Sequence, residues 1–172
     1  IGVEVEMNSI TREKAAKKIA EYFGTRAWYA ASEYGYNTWA CKDQSGRVWK
    51  FQRDCSIIGP DDEKCELVTP ILHYEDIETL QEIIRILRAN GAKSDASRMC
   101  GVHIHIGANG HTPKTLRNLT NIMASHESLL AEALDLDRNR INRYCRTVDE
   151  RFLKAINTKK PKSMSEFADV WY

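Results

Sequence analysis

In the opening stretch "IGVEVEM", Glu4 and Glu6 alternate with Val3, Val5 and Met7, and far downstream "CGVHIHIGA" sets His103 and His105 between Val102, Ile104 and Ile106. A period of two means a strand, with the polar pair on one face and the aliphatic residues on the other. Side chains two positions apart on such a face lie about 6–7 Å from each other. Two further segments offer groups of the same kind: "RVWKFQRDCSI" presents Asp54 and Ser56 if its alternation continues, and "CELVTP" presents Glu66. Singly, each has a plain reading. Alternating glutamates are commonly a solvated sheet face, Asp54 suits a turn, and one of two histidines is often a satisfied core residue. Together they differ from an ordinary solvated face, which mixes Lys, Thr, Arg and Glu. Were the four strands neighbours, their carboxylates would repel one another unless cations sat among them. A set rich in carboxylates and poor in histidine suits Mg²⁺ or Mn²⁺; zinc remains an alternative through His103, His105 and one carboxylate.

Magnesium held by few protein ligands on an open sheet commonly bridges phosphates, which points to nucleotide chemistry. The sequence contains no G-x-x-x-x-G-K-[ST] loop and no G-x-G-x-x-G after a strand. A nucleotide would therefore be held by the ions and by scattered basic groups rather than by a glycine-rich cradle.

The surrounding pattern says what positions these groups. Asn8, Ser9 and Thr11 are cap candidates for a helix carrying Ala15, Ala16, Ile19, Ala20 and Phe23, with Gly24 as its stop. "YNTWACK" and "RVWKFQRDCSI", joined through "DQSG", read as an antiparallel hairpin. Residues 74–90 form the clearest helix, with Ile77, Leu80, Ile83, Ile84 and Leu87 as one apolar stripe and Gly91 at its end. Thr112 and Pro113 open another, striped by Leu116, Leu119, Met123, Leu130 and Leu134. A last helix near Thr147 carries Phe152, Leu153 and Ile156. The expectation is an α+β fold, a largely antiparallel sheet whose Val/Ile side is covered by helices and whose other side is open.

Composition narrows the classes. The chain has 172 residues, 42% hydrophobic and 28% charged, with a net charge of +1. That suits one globular domain over 1–172 and argues against disorder, and it carries no basic signature for nucleic acid. No apolar run is long enough to span a bilayer, so no membrane partner is expected, and no signal peptide is visible. Five cysteines (Cys41, Cys55, Cys65, Cys100 and Cys145) form no C-x-x-C pair. They read as buried, reduced thiols of a cytoplasmic protein. A first residue of Ile1 rather than Met is expected of an excerpt or a trimmed segment.

Three stretches, in order and at fitting spacing, resemble a known family. "IGVEVEM" is similar to the G-x-E-x-E strand of the carboxylate–amine ligases. "RDCSI" followed by "KCELVTPIL" looks like their D-x-S-I and E-[LIV]-[VT]-[ST]-P pair, and "CGVHIHIG" like their [CS]-G-x-H-x-H strand. The group resembled is the amidoligase family, related to glutamate–cysteine ligases and more distantly to glutamine synthetase, over Ile1 to about Tyr144. The resemblance implies a glutamine synthetase catalytic-domain-like fold, a curved antiparallel sheet with helices packed on one face, whose open side holds ATP and divalent ions. It implies amide-bond formation through an acyl phosphate, with small-molecule or peptide carboxylate and amine substrates. By the same carry-over Glu4, Glu6, Glu66 and His103 are metal ligands, and His105 faces the nucleotide phosphates. Asp54 and Ser56 match the motif with substrate, metal or nucleotide contacts as their expected roles. Cys55 departs from the glycine frequent at that place. The resemblance further implies a ligand strand beyond "FADVWY" and allows a homo-oligomer.

The remaining polar residues divide as follows. Arg138, Arg140, Arg143 and Arg146 cluster in "LDLDRNRINRYCR". Arg140 and Arg143 are the candidates for an anion clamp, the others a solvated helix end. His126 is expected to pack on its helix stripe, His111 to lie at a helix cap, and Trp39 and Trp49 to be core; His73 has no assigned role. Two other functions compete with the ligase: a metal-dependent hydrolase using the H-x-H pair, and a non-catalytic binding module. Amidohydrolase barrels usually carry H-x-H on their first strand, whereas here it follows an E-x-E strand.

Overall fold

The structure, a computed structural model, describes residues 1–172. It forms two compact units, Ile1–Gly107 and Ala108–Tyr172.

The first unit holds a six-stranded sheet. In chain order its strands are β1 (Gly2–Met7), β2 (Ala27–Tyr29), β3 (Trp39–Lys42), β4 (Val48–Gln52), β5 (Cys65–Val68) and β6 (Val102–His105). Their spatial order is β2-β3-β4-β5-β1-β6, and every neighbouring pair is antiparallel. The α+β expectation is met. Three helices accompany the sheet: α1 (Arg12–Phe23), α2 (Ala31–Tyr34) and α3 (Ile77–Ala89).

Helix α1 starts where Thr11 accepts the Lys14 N–H (3.2 Å) and ends at Gly24, whose φ of 67° is the left-handed conformation a side chain would resist. Its Ala15, Ala16, Ile19 and Phe23 are buried in one core with Val3, Val5, Met7, Trp49, Phe51 and Leu67 from the sheet and Ile83 and Leu87 from α3. Burying each large aliphatic or aromatic side chain in such a core contributes about 1.5–3 kcal/mol. Trp49 is fully buried and Trp39 partly so, as expected of them.

Two expectations are corrected. Strand β4 ends at Gln52, so Asp54 and Ser56 lie in the following loop and not on the strand. Asp54 terminates the alternation itself: its Oδ1 accepts the Ser56 N–H at 2.7 Å, a local turn that competes with the sheet ladder. Within the first unit the helical cover is also incomplete. Val102 and Ile104, on the aliphatic side of edge strand β6, are 59% and 64% exposed. Among the thiols, Cys41, Cys65 and Cys100 are buried, but Cys55 and Cys145 are exposed because both sit in loops.

The second unit contains α4 (Pro113–Ala133), α5 (Arg138–Arg143), α6 (Glu150–Lys159) and α7 (Met164–Trp171). Thr112 caps α4 with Pro113 at its start. Asn121 and Asn157 exchange amide hydrogen bonds at 3.0 and 2.9 Å, tying α4 to α6. Phe152, Phe167 and Trp171 form an aromatic cluster between α6 and α7. Most of the α4 stripe is not packed: Leu119, Met123, Leu130 and Leu134 are exposed. His126 is exposed too, its Nδ1 lying 2.8 Å from the Ile122 carbonyl rather than in a core. No helix is long and apolar enough to cross a membrane.

One ion-pair network pins the hairpin to α3. Buried Asp43 accepts the Arg47 Nε–H at 2.8 Å and the Trp49 indole N–H at 3.2 Å, and the Arg47 guanidinium donates twice to Asp76, both at 2.8 Å. Hydrogen bonds from Arg47 and the His73 backbone hold the Asp76 carboxyl well below its ordinary 3.8. A carboxyl depressed in the folded state contributes stability that is full above its unfolded pKa and lost as pH falls through the folded one. Arg47→Ala should therefore lower the unfolding free energy by about 2 kcal/mol at pH 7. In urea titrations the deficit should shrink as pH drops below 3.8.

Candidate functional site

The open face is built by register. Strand β1 lies between β5 and β6, with Glu4 opposite His103, Glu6 opposite Glu66, and Gly2 opposite His105. Across β5, Glu66 is opposite Gln52 of β4. Val3, Val5 and Met7 are drawn into the core, so Glu4 and Glu6 must project from the other side. Thus the sheet brings together groups far apart in sequence, Glu4 and His103 being 99 positions apart.

Two overlapping triads result. Ligand atoms of Glu4, Glu66 and His103 lie within 4.8 Å of one another, and so do those of Glu6, Asp54 and Glu66. Asp54 thus joins the cluster from its loop. Ser56 is exposed and has only its backbone N–H engaged, with Asp54. Arg140 and Arg143 belong to the second unit, where both guanidinium groups lie 5.3 Å from the Tyr144 ring centroid.

Each member has distinct partners. A single oxygen of Glu4, Oε2, lies 3.2 Å from His103 Nδ1 and 3.1 Å from His105 Nε2. Burial pushes the Glu4 carboxyl up, but hydrogen bonds and charge from His105 and His103 outweigh it and hold the group below its ordinary 4.5. Glu6 is buried, and its Oε2 accepts the Gly101 N–H at 2.6 Å. Glu66 is pushed up to about 7, first by burial and then by the charges of Glu4, Asp54 and Glu6. A carboxyl in that position is poorly solvated and surrounded by like charge, and a cation beside it would relieve both.

Glu66 is positioned from behind by a buried arginine. Arg12, the first residue of α1, donates from Nη1 to the carbonyls of Asp61 (2.9 Å) and Lys64 (2.6 Å), and from Nε to that of Asn37 (3.2 Å). This fixes the loop that enters β5. Two further residues of the face, Lys50 and Gln52, are not among the candidates named from the sequence, although they share the alternation that leads to Asp54. Counting outward from buried Trp49 and Phe51 identifies both. The Gln52 amide donates to Thr38 Oγ1 at 3.2 Å.

The state of Glu66 has a consequence for stability. The unfolded chain releases this proton near 4.5, whereas the folded protein holds it to about 7, so stability falls as pH rises between the two. Glu66→Gln has no proton to lose. Measured by urea unfolding in chelator-treated buffer, it should gain stability relative to the native sequence between pH 4.5 and 7 and hold that gain above.

No curated protein and no solved structure matches the chain. A family model described as "Putative amidoligase enzyme" matches residues 1–172. The chain, carrying this carboxylate–histidine face, belongs to the amidoligase family.

Proposed function

We propose that this protein joins a carboxylate to an amine in an ATP-dependent ligation, at a divalent-ion site held by Glu4, Glu6, Glu66 and His103. The observation that carries the reading is the meeting of the two triads on one open sheet face, in a chain of the amidoligase family. The donor chemistry fits Mg²⁺ or Mn²⁺: four carboxylates and a single histidine across both triads, with Glu66 shared. We assign the sheet to the glutamine synthetase catalytic-domain type; six antiparallel strands with α1 and α3 over the apolar side support it. Cysteines spread along the chain with no C-x-x-C pair among them support a cytoplasmic setting.

Carboxylate and triphosphate are both anionic, so their approach needs positive charge between them. Bound divalent ions supply that neutralisation and stabilise the charge spread over the transferring phosphoryl oxygens. The acid's carboxylate oxygen attacks the γ-phosphorus, ADP leaves, and an acyl phosphate results. The amine nitrogen then attacks the acyl carbon, inorganic phosphate leaves, and one proton is released from nitrogen.

The chain's own residues carry the rest. Glu4 fixes the orientation of both imidazoles, and to His105, the more exposed of the two, we assign the contact with the nucleotide phosphates. To Asp54, on its loop, we assign acceptance of the amine proton. Ser56, beside it, offers a hydroxyl to the nucleotide. Arg140 and Arg143 are assigned as the clamp for a phosphate or for the substrate carboxylate.

The test is turnover of the full-length protein with Mg²⁺, ATP and panels of acids and amines. ADP and phosphate should appear only when both substrates are present, whereas ATP-independent bond cleavage would mark a hydrolase instead. Glu4→Ala and His103→Ala should each reduce turnover by more than about 100-fold, with thermal unfolding still cooperative. Full activity in either variant would remove the site assignment.

A further inference from the structure

Lys50 stands in the same cross-strand row as the cluster. Successive register pairs run His103–Glu4, Glu4–Val68 and Val68–Lys50. Because Trp49 and Phe51 point into the core, Lys50 projects from the open face, the side that carries Glu4, Glu66 and His103. Strand β5 separates its strand from β1, which puts the backbones of Lys50 and Glu4 about 10 Å apart.

The ammonium is held but not neutralised. Lys50 is half-buried, and its Nζ lies 5.3 Å from the ring centroid of Tyr34, the last residue of α2. It takes part in none of the protein's ion pairs. Nearby cations differ: Arg47 is paired with Asp43 and Asp76, and Arg53 with Asp61. An aromatic face orients an ammonium while leaving its N–H donors available, which a carboxylate partner would not. The face is thus divided by charge, acidic on β5 and β1 and cationic at Lys50.

From this placement we infer that Lys50 is an anion-binding residue of the site, taking a carboxylate or phosphate of the ligand whose other end lies at the carboxylate–histidine cluster. The inference rests on the ligase reading for the identity of that ligand, but not for the existence of the anion site. It also gives α2 a role: through Tyr34 the short helix sets where the ammonium sits. That makes Tyr34 a positioning residue.

Calorimetric titration of the full-length protein tests this with three probes: Mn²⁺ alone, the Mg²⁺ complex of a non-hydrolysable ATP analogue, and glutarate. Lys50→Gln should weaken whichever anionic probe Lys50 holds by about tenfold or more, with Mn²⁺ affinity kept within about twofold. Lys50→Arg should retain that probe within about threefold, and Tyr34→Leu should weaken it less than Lys50→Gln does. Loss confined to the nucleotide identifies a phosphate as the bound group; loss confined to glutarate identifies a carboxylate. If Lys50→Gln, folded by its thermal melt, binds both as the native protein does, the assignment is overturned while the ligase reading stands. If the native protein binds glutarate through Lys50 but no nucleotide, the anion site stands and the ligase reading falls. Binding of neither anion overturns both.

Discussion

The structure depends on how β1 is paired. It lies between β5 and β6, and antiparallel register on both sides fixes which residues meet across it. Val3, Val5 and Met7 are locked into the core beneath α1 and α3, and this alone decides that Glu4 and Glu6 share the opposite face. A slip of one position would exchange the two sets, burying glutamates among aliphatic side chains at a cost of several kcal/mol each. The hydrophobic side of the sheet therefore enforces the polar side. The carboxylates are crowded because the core leaves them nowhere else to go, and the crowding appears in Glu66, whose carboxyl holds its proton up to about 7.

Other contacts serve this pairing. Arg12 reaches back from the start of α1 to three backbone carbonyls and fixes the loop that feeds β5, and so the place of Glu66. The Glu6 carboxylate accepts the Gly101 N–H, while the Glu6 N–H donates to the Gly101 carbonyl at 3.0 Å, extending the pairing just ahead of β6. Glu4 uses one oxygen to restrain two imidazoles. The parts of the face that do chemistry are thus held by backbone pairing and by one another. The Arg47–Asp43–Asp76 network steadies the far hairpin without touching them.

Much of this is legible in the residues alone, because period-two alternation assigns faces without coordinates. "VEVE", "CELV" and "VHIH" each form a strand with its polar residues on the open side. Alternation does not announce where a strand ends. "KFQRDCSI" continues the pattern past Gln52, yet Asp54 folds its carboxylate onto the Ser56 N–H and breaks the ladder. The D-x-S spacing is itself a turn signal, and it outweighs the alternation here. Asp54 still reaches Glu66 from the loop, so the residue belongs to the cluster although it arrives by a different route. Lys50 and Gln52 lie in the same alternation, flanking the buried Trp49 and Phe51, but are neither acids nor histidines, so a search for metal-competent side chains does not select them.

A second kind of illegibility concerns burial. The stripe on α4 and the aliphatic residues of β6 have the periodicity of packed surfaces, yet Leu119, Leu130, Val102 and Ile104 are exposed. Periodicity reports which side of an element is apolar, not whether anything covers it. On α1 and α3 the apolar side meets the sheet, and pattern and burial agree. On the open face the logic is reversed. Its members are not apolar, so no packing argument selects them, and they are recognised only because like charges converge where an ordinary sheet would intersperse opposite ones. Lys50 breaks that run of acids in the same row as Glu4 and His103, so an anionic ligand lying along the row would meet the fixed ammonium at one end and the carboxylate–histidine cluster at the other.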